Sequence, residues 1–190
     1  MPKTEDQFKE MREKSKKHII ETALKLFSSN WFHATSIRQI AKQAGISIGL
    51  MYNYFQSKEE LLDESIKYSL IDISAMLYDQ ANEMIESNNL VGLIEAIFDV
   101  VKSKRDTWRL FISILLQPEV SETGKNRVEH FSNHIYQILE LYFQKTGDSN
   151  PAQRAKFLGA LLHGAFLNFI VHGDEEVFDQ VKSAIMERVI

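Results

Sequence analysis

Cysteine is absent from the 190 residues, which excludes disulfide scaffolds, thiolate metal sites and cysteine nucleophiles together. Proline occurs three times and glycine eight, too few for a loop-rich or low-complexity chain. Strictly alternating β-branched runs are missing, so little in the sequence asks for a sheet. The longest uncharged, mainly apolar run, residues 157–171, falls short of the ~20 residues a bilayer requires and contains His163 and Asn168. The first seventeen residues carry charges of both signs and no apolar segment, unlike a secretory signal. Together these absences lead us to expect a cytoplasmic chain with no membrane partner. Glycine-rich phosphate loops, a Ser-His-Asp arrangement and paired carboxylates are missing too, which argues against an enzyme.

What is present is helical periodicity. Hydrophobic residues make up 44% and charged residues 25%, enough to bury a core without covalent staples. Apolar side chains recur at helical spacing in Ile20, Ala23, Leu24 and Phe27, then in Leu61, Leu62, Ile66, Leu70, Ile73 and Leu77. Further stripes run through Leu110, Phe111, Ile114 and Leu115 up to Pro118, from Val128 to Tyr142, and from Leu158 to Phe169. The spacing predicts an all-α fold of about nine helices, at 8–30, 36–43, 47–54, 57–86, 90–103, 105–117, 122–146, 151–172 and 175–190. Ser36 with Gln39 and Ser57 with Glu60 read as capping boxes. Asn150-Pro151 reads as another helix start, and Gly147 and Gly173 as helix ends.

The charge is divided unevenly. Residues 1–58 hold ten Lys and Arg against five Asp and Glu, whereas residues 59–190 hold twelve against twenty-one. A basic first third on an acidic remainder suggests that one end meets a polyanion. Within that third, residues 35–58 read TSIRQIAKQAGISIGLMYNYFQSK. Ile37, Ile40 and Ala41 form the inner face of a short helix, Gly45 supplies a tight turn, and a second short helix follows Ser47. This is helix-turn-helix grammar, in which the second helix enters the major groove.

The segment resembles the N-terminal DNA-binding region of TetR-family (tetracycline-repressor-like) transcriptional regulators. The resemblance covers roughly residues 15–62 and rests on Ile20 to Phe27, Thr35-Ser36, Ile40-Ala41, Ala44-Gly45-Ile46-Ser47, Tyr52, Tyr54-Phe55 and Ser57-Lys58-Glu59. It implies a three-helix DNA-binding domain over 1–56 and a helical ligand-binding and dimerisation domain over 57–190. It also implies a homodimer on a near-palindromic double-stranded operator, a repressor released by a small, largely apolar ligand, and no cofactor. DNA-contact candidates are Thr35, Ser36, Arg38, Ser47, Ile48, Gly49, Leu50, Tyr52, Asn53, Tyr54 and Lys58. Thr35, Ser36 and Lys58 stand at helix starts suited to phosphate. Arg38 fits guanine, a phosphate or a surface ion pair. Phe55 is expected in the core.

The chain departs from the family pattern at three positions. Trp31 stands where a glycine is common, and Asn30 is expected to supply the left-handed cap. Ile48 and Leu50 replace a lysine and a threonine, and with Gly49 they suit thymine methyl groups, Ser47 and Asn53 adding polar contacts. The run Lys14, Lys16, Lys17 and His18 either compensates through phosphates or is a solvated helix start.

In the acidic remainder, Tyr68, Met76, Trp108, Phe111, Tyr142, His163, Phe166 and Asn168 are candidates to line a ligand cavity between the fourth and eighth helices. Ala160 and Gly164 lie where the resemblance puts the dimer contact. His130 and His134, four apart beside Glu129, have metal-ligand spacing without a third ligand or an HExxH motif. Three readings stay open: a ligand-released repressor, a regulator of the same fold without a small ligand, and a histidine-based metal sensor or helical metalloenzyme.

Overall fold

The computed structural model describes residues 5–116 and 122–189, and every regular element among them is an α-helix. In order these are α1 (Glu5–Asn30), α2 (Ile37–Gln43), α3 (Ile48–Tyr52), α4 (Lys58–Glu86), α5 (Leu90–Ser103), α6 (Arg105–Leu116), α7 (Glu122–Lys145), α8 (Pro151–His172) and α9 (Glu175–Val189). The all-α expectation holds, with element ends displaced by at most three residues. Pro118, expected to stop the sixth helix, lies outside the described residues.

Local chemistry sets the helix starts. Ser36 forms a complete capping box: its hydroxyl accepts the Gln39 amide at 3.2 Å, and the Gln39 side chain accepts the Ser36 N–H at 2.7 Å. The second expected box is only half made. Ser57 accepts the Glu60 amide at 3.0 Å, but the Glu60 carboxylate takes the N–H of Gln56, one residue early. Pro151 opens α8, yet Asn150 contributes no side-chain cap, its amide donating instead to Gln153 at 2.7 Å. Asn30 does not provide the left-handed residue after α1. It is the last helical residue, and Trp31 itself takes φ 66°, its side chain standing in solvent.

Packing makes two bodies of helices joined by α4 and α6. Ile19, Ile20, Ala23 and Phe27 of α1 are buried with Ile40 and Ala41 of α2, Met51 of α3, Phe55, and Leu61 and Leu62 at the start of α4. Further along α4, Ile73 and Leu77 join the core of α5 to α9. α6 lies along α1 and also contacts α5, α7 and α8. Three cations fasten the corner between α5 and α6. Lys102 reaches Glu175 of α9 at 2.9 Å, Lys104 reaches Asp72 of α4 at 2.6 Å, and Arg105 donates to the carbonyls of Phe169 and Ile170 at 3.2 and 2.9 Å. Gly173 ends α8 at φ 74°, and a Cβ there would overlap the Arg105 guanidinium, so the corner needs glycine for conformation and for room.

α8 buries Ala155, Leu158, Gly159, Leu162, Ala165 and Phe169 on one face, and a methyl at Gly159 would overlap the Tyr136 ring of α7. Its other face exposes Phe157, Leu161, Leu167 and Val171. The whole 22-residue helix is, by length and composition alone, apolar enough to cross a membrane. That revises the inference from residues 157–171, because the helix gathers apolar residues beyond that run; its inner face packs on α6, α7 and α9.

Candidate nucleic-acid interface and cavity

The helix-turn-helix is built as a rigid corner. Ala44 ends α2, Gly45 takes φ 68°, and the Ile46 N–H returns to the Ala41 carbonyl at 3.0 Å. Ser47 caps α3 by accepting the Leu50 amide at 3.1 Å. Met51 and Phe55 anchor α3 to the core, leaving Ser47, Ile48, Gly49, Leu50, Tyr52 and Asn53 on the exposed side with Arg38 and Ser36 of α2. A Cβ at Gly49 would meet nothing within 4 Å. Nothing in the fold requires a glycine there, although glycine costs a helix about 1 kcal/mol relative to alanine.

Two of the expected DNA contacts spend donors within the chain. Thr35 is buried at 2% exposure, its hydroxyl donates to the carbonyls of Trp31 and Leu26 at 2.9 and 3.2 Å, and its amide donates to Phe32. It has no donor left for a phosphate. Lys58 is half-buried; its ammonium donates to the carbonyls of Phe32 and Thr35 at 2.9 and 3.1 Å and lies 4.2 Å from the Phe32 ring centre. The lysine clips the turn between α1 and α2 to the start of α4. Ser36 stays exposed, but its hydroxyl and its amide both engage Gln39.

The basic run of α1 is largely matched within the chain. Lys14 pairs with Glu10 at 2.6 Å, Lys17 lies near Glu21 and over the Tyr68 ring, and Lys16 bonds Glu64 of α4 at 2.8 Å. The Lys16 contact holds the Glu64 carboxyl below its usual pKa range. The sequence reading missed Arg12. Its guanidinium donates to the Asn53 carbonyl at 3.2 Å and lies over the half-buried Tyr54 ring, bracing the end of α3. Its position four residues before Lys16, on the stripe leading to Ile19 and Ile20, was the available signal.

A cavity of about 270 Å³ opens among α4 to α8. Of the eight expected lining residues, Trp108, Phe111, His163 and Phe166 reach it, together with Leu77, Val101, Phe131, Leu162 and other apolar residues. Four do not, because they stand on other faces of their helices. Tyr68 faces α1, Met76 and Asn168 are exposed, and the Tyr142 hydroxyl donates to the Asn88 carbonyl at 3.1 Å. His163 and Leu167 have exposed edges and mark the mouth. The Tyr136 hydroxyl lies 2.8 Å from His163 Nδ1, and partial burial pushes the imidazole pKa down. The Trp108 indole N–H is buried with no acceptor among the described residues.

His130 and His134 are exposed, and His134 lies 3.3 Å from Gln137 Oε1. Among the described residues no three His, Cys, Asp or Glu side chains are grouped to hold a metal.

Comparisons with known proteins agree with this geometry. Residues 19–65 match the family model for bacterial regulatory proteins of the tetR family. An uncharacterized HTH-type transcriptional regulator of Bacillus subtilis, YuxN, is 52% identical over 58 residues, a match spanning 30% of this chain and only 20% of that relative. The HTH-type transcriptional regulator UidR of Escherichia coli K12 is 29% identical over 154 residues, covering 77% of this chain and 76% of its own. The crystal structure of the multidrug binding protein EbrR complexed with malachite green superposes with a TM-score of 0.71 at 14% identity, covering 92% of this chain and 97% of that one. The last similarity is one of fold.

Proposed function

We propose that the chain, whose residues 19–65 match the family model for bacterial regulatory proteins of the tetR family, is a homodimeric, sequence-specific transcriptional repressor released from its operator by a small apolar ligand. One observation carries the DNA-binding half. The face of α3 pointing away from the core exposes Ser47, Ile48, Gly49, Leu50 and Asn53, while Met51 and Phe55 fix that helix from beneath. Ile48 and Leu50 would contact thymine methyl groups, and Arg38 a guanine edge or a phosphate. The protein acts on DNA in the cytoplasm in this reading, with residues 1–56 as the DNA-binding domain and 57–190 as the regulatory one.

The ligand half is supported by the cavity among α4 to α8. α6 lines the cavity with Trp108 and Phe111 and packs on α1. A guest that favours one placement of α6 would therefore bias the placement of the DNA-binding helices. The dimer half is supported by the exposed apolar face of α8, where Ala160 and Gly164 let a second helix approach closely. Two-fold symmetry would present two copies of α3 to successive major grooves.

The test is selection of duplexes from a random library, followed by binding assays on the recovered sequence. We expect a near-palindromic site with thymines in each half, and weaker binding when uracil replaces them. Recovery of no sequence above background would sink the regulator reading. A recovered site indifferent to the thymine methyl groups would remove Ile48 and Leu50 as readers.

A further inference from the structure

We propose that the cavity selects electrically neutral guests: a compact apolar molecule binds, and the ammonium or carboxylate form of the same skeleton does not. This rests on the ligand-cavity reading above and adds to it the charge class of the ligand. None of the sixteen described lining residues is Asp, Glu, Lys or Arg. His163 is the one titratable imidazole among them, and the burial that lowers its pKa keeps it neutral near pH 7. Among the described residues the wall therefore offers a counter-charge of neither sign. A guest ion would leave water without a partner, the situation in which a buried charge is most costly.

The aromatic residues do not change this balance. Trp108 packs edge-on against Phe111 at 5.7 Å and 85°, and Phe166 edge-on against Phe98 at 5.3 Å and 77°. A ring face returns only part of what an ammonium loses on leaving water. Size sets the second limit. A cavity of about 150 Å³ holds benzene, so the roughly 270 Å³ here takes a cage or two fused rings.

Three probes share one rigid, optically silent skeleton: 1-adamantanemethanol, 1-adamantanemethylammonium and 1-adamantanecarboxylate. Each keeps its polar group within two bonds of the cage, so the charge stays close to the apolar wall while the cage is inside. Trp31 and Trp108 are the two tryptophans, and Trp31 is exposed in the turn after α1. A Trp31→Phe background therefore lets Trp108 fluorescence report the cavity, with thermal shift as a second readout. We expect the alcohol to bind and both ions to bind at least about tenfold more weakly. Either ion binding within threefold of the alcohol overturns charge selection and leaves the cavity reading standing. No response to any of the three overturns the cavity reading itself. Leu167→Glu, at the exposed mouth, should shift the ammonium-to-alcohol ratio about tenfold toward the cation; an unchanged ratio also overturns the proposal.

Discussion

Replacing Lys58 by methionine separates two jobs for this lysine, because it removes the ammonium and keeps most of the stem. In the structure that ammonium holds the Phe32 and Thr35 carbonyls at 2.9 and 3.1 Å and lies 4.2 Å from the Phe32 ring centre. Hydrogen bonds to a charged group contribute about 1.5–3 kcal/mol each when well buried. Half-exposure puts this pair at the low end, about 2–3 kcal/mol together with the ring contact. For a chain of this size that lowers Tm by about 4–12 °C. A phosphate ligand behaves differently, since its loss reduces the slope of log K against log salt by about 0.9 and leaves folding alone. Thermal unfolding followed by circular dichroism, paired with operator binding across a salt series, reads both quantities. The clip predicts a lower Tm with the salt slope kept. An unchanged Tm with the slope reduced by about 0.9 would refute it and return Lys58 to the DNA contacts.

Gly45→Ala tests the turn between α2 and α3. No atom lies within 4 Å of the added methyl, so the left-handed backbone alone should cost about 1–2 kcal/mol in urea unfolding; no change means the turn relaxes to another conformation. Gly164→Phe or Ala160→Trp should yield monomers that remain folded and lose tight operator binding, and a clean dimer in sedimentation for both variants places the interface elsewhere. His163 has a lowered folded-state pKa, so the unfolded chain binds more protons as pH falls through about 6.5 and stability should drop there. His163→Phe should remove that part of the drop between pH 7.5 and 5.5, and a variant with the wild-type pH profile would show that the histidine does not carry it.

The sequence made the helix order and the helix-turn-helix legible because both follow from local spacing. Gly45, Gly147 and Gly173 adopt positive φ where turns were expected, and Phe55 is buried as its place in the pattern required. Partners distant in sequence were not legible. Nothing near Lys58 says that carbonyls 23 and 26 residues away will take its protons, and nothing near Arg12 names Asn53. Cavity residues failed for a related reason. An aromatic stripe shows that a helix has an inner side, but not which neighbour covers it. Tyr68 is therefore tied to α1 and Tyr142 to the turn between α4 and α5, while Phe131 and Leu162, which look like ordinary core, line the hollow. Trp31 failed on energy: its left-handed backbone costs more than that of Asn30 would, and only the path of the following turn decides which residue bears it.

The empty space around Gly49 bears on how such a chain changes over generations. Met51 and Phe55 hold α3 in place and tolerate little, whereas Ile48, Gly49 and Leu50 project outward from it. Exposed substitutions of this kind usually shift stability by no more than about 0.5 kcal/mol. Alanine in place of Gly49 would gain helix propensity of about 1 kcal/mol. Apart from Ser47, which also caps α3, the residues that specify the scaffold and those proposed to meet the DNA are thus separate sets. A duplicated copy can drift toward a new target through these outward positions without passing through an unstable intermediate. That freedom follows from confining the core contacts of α3 to one side.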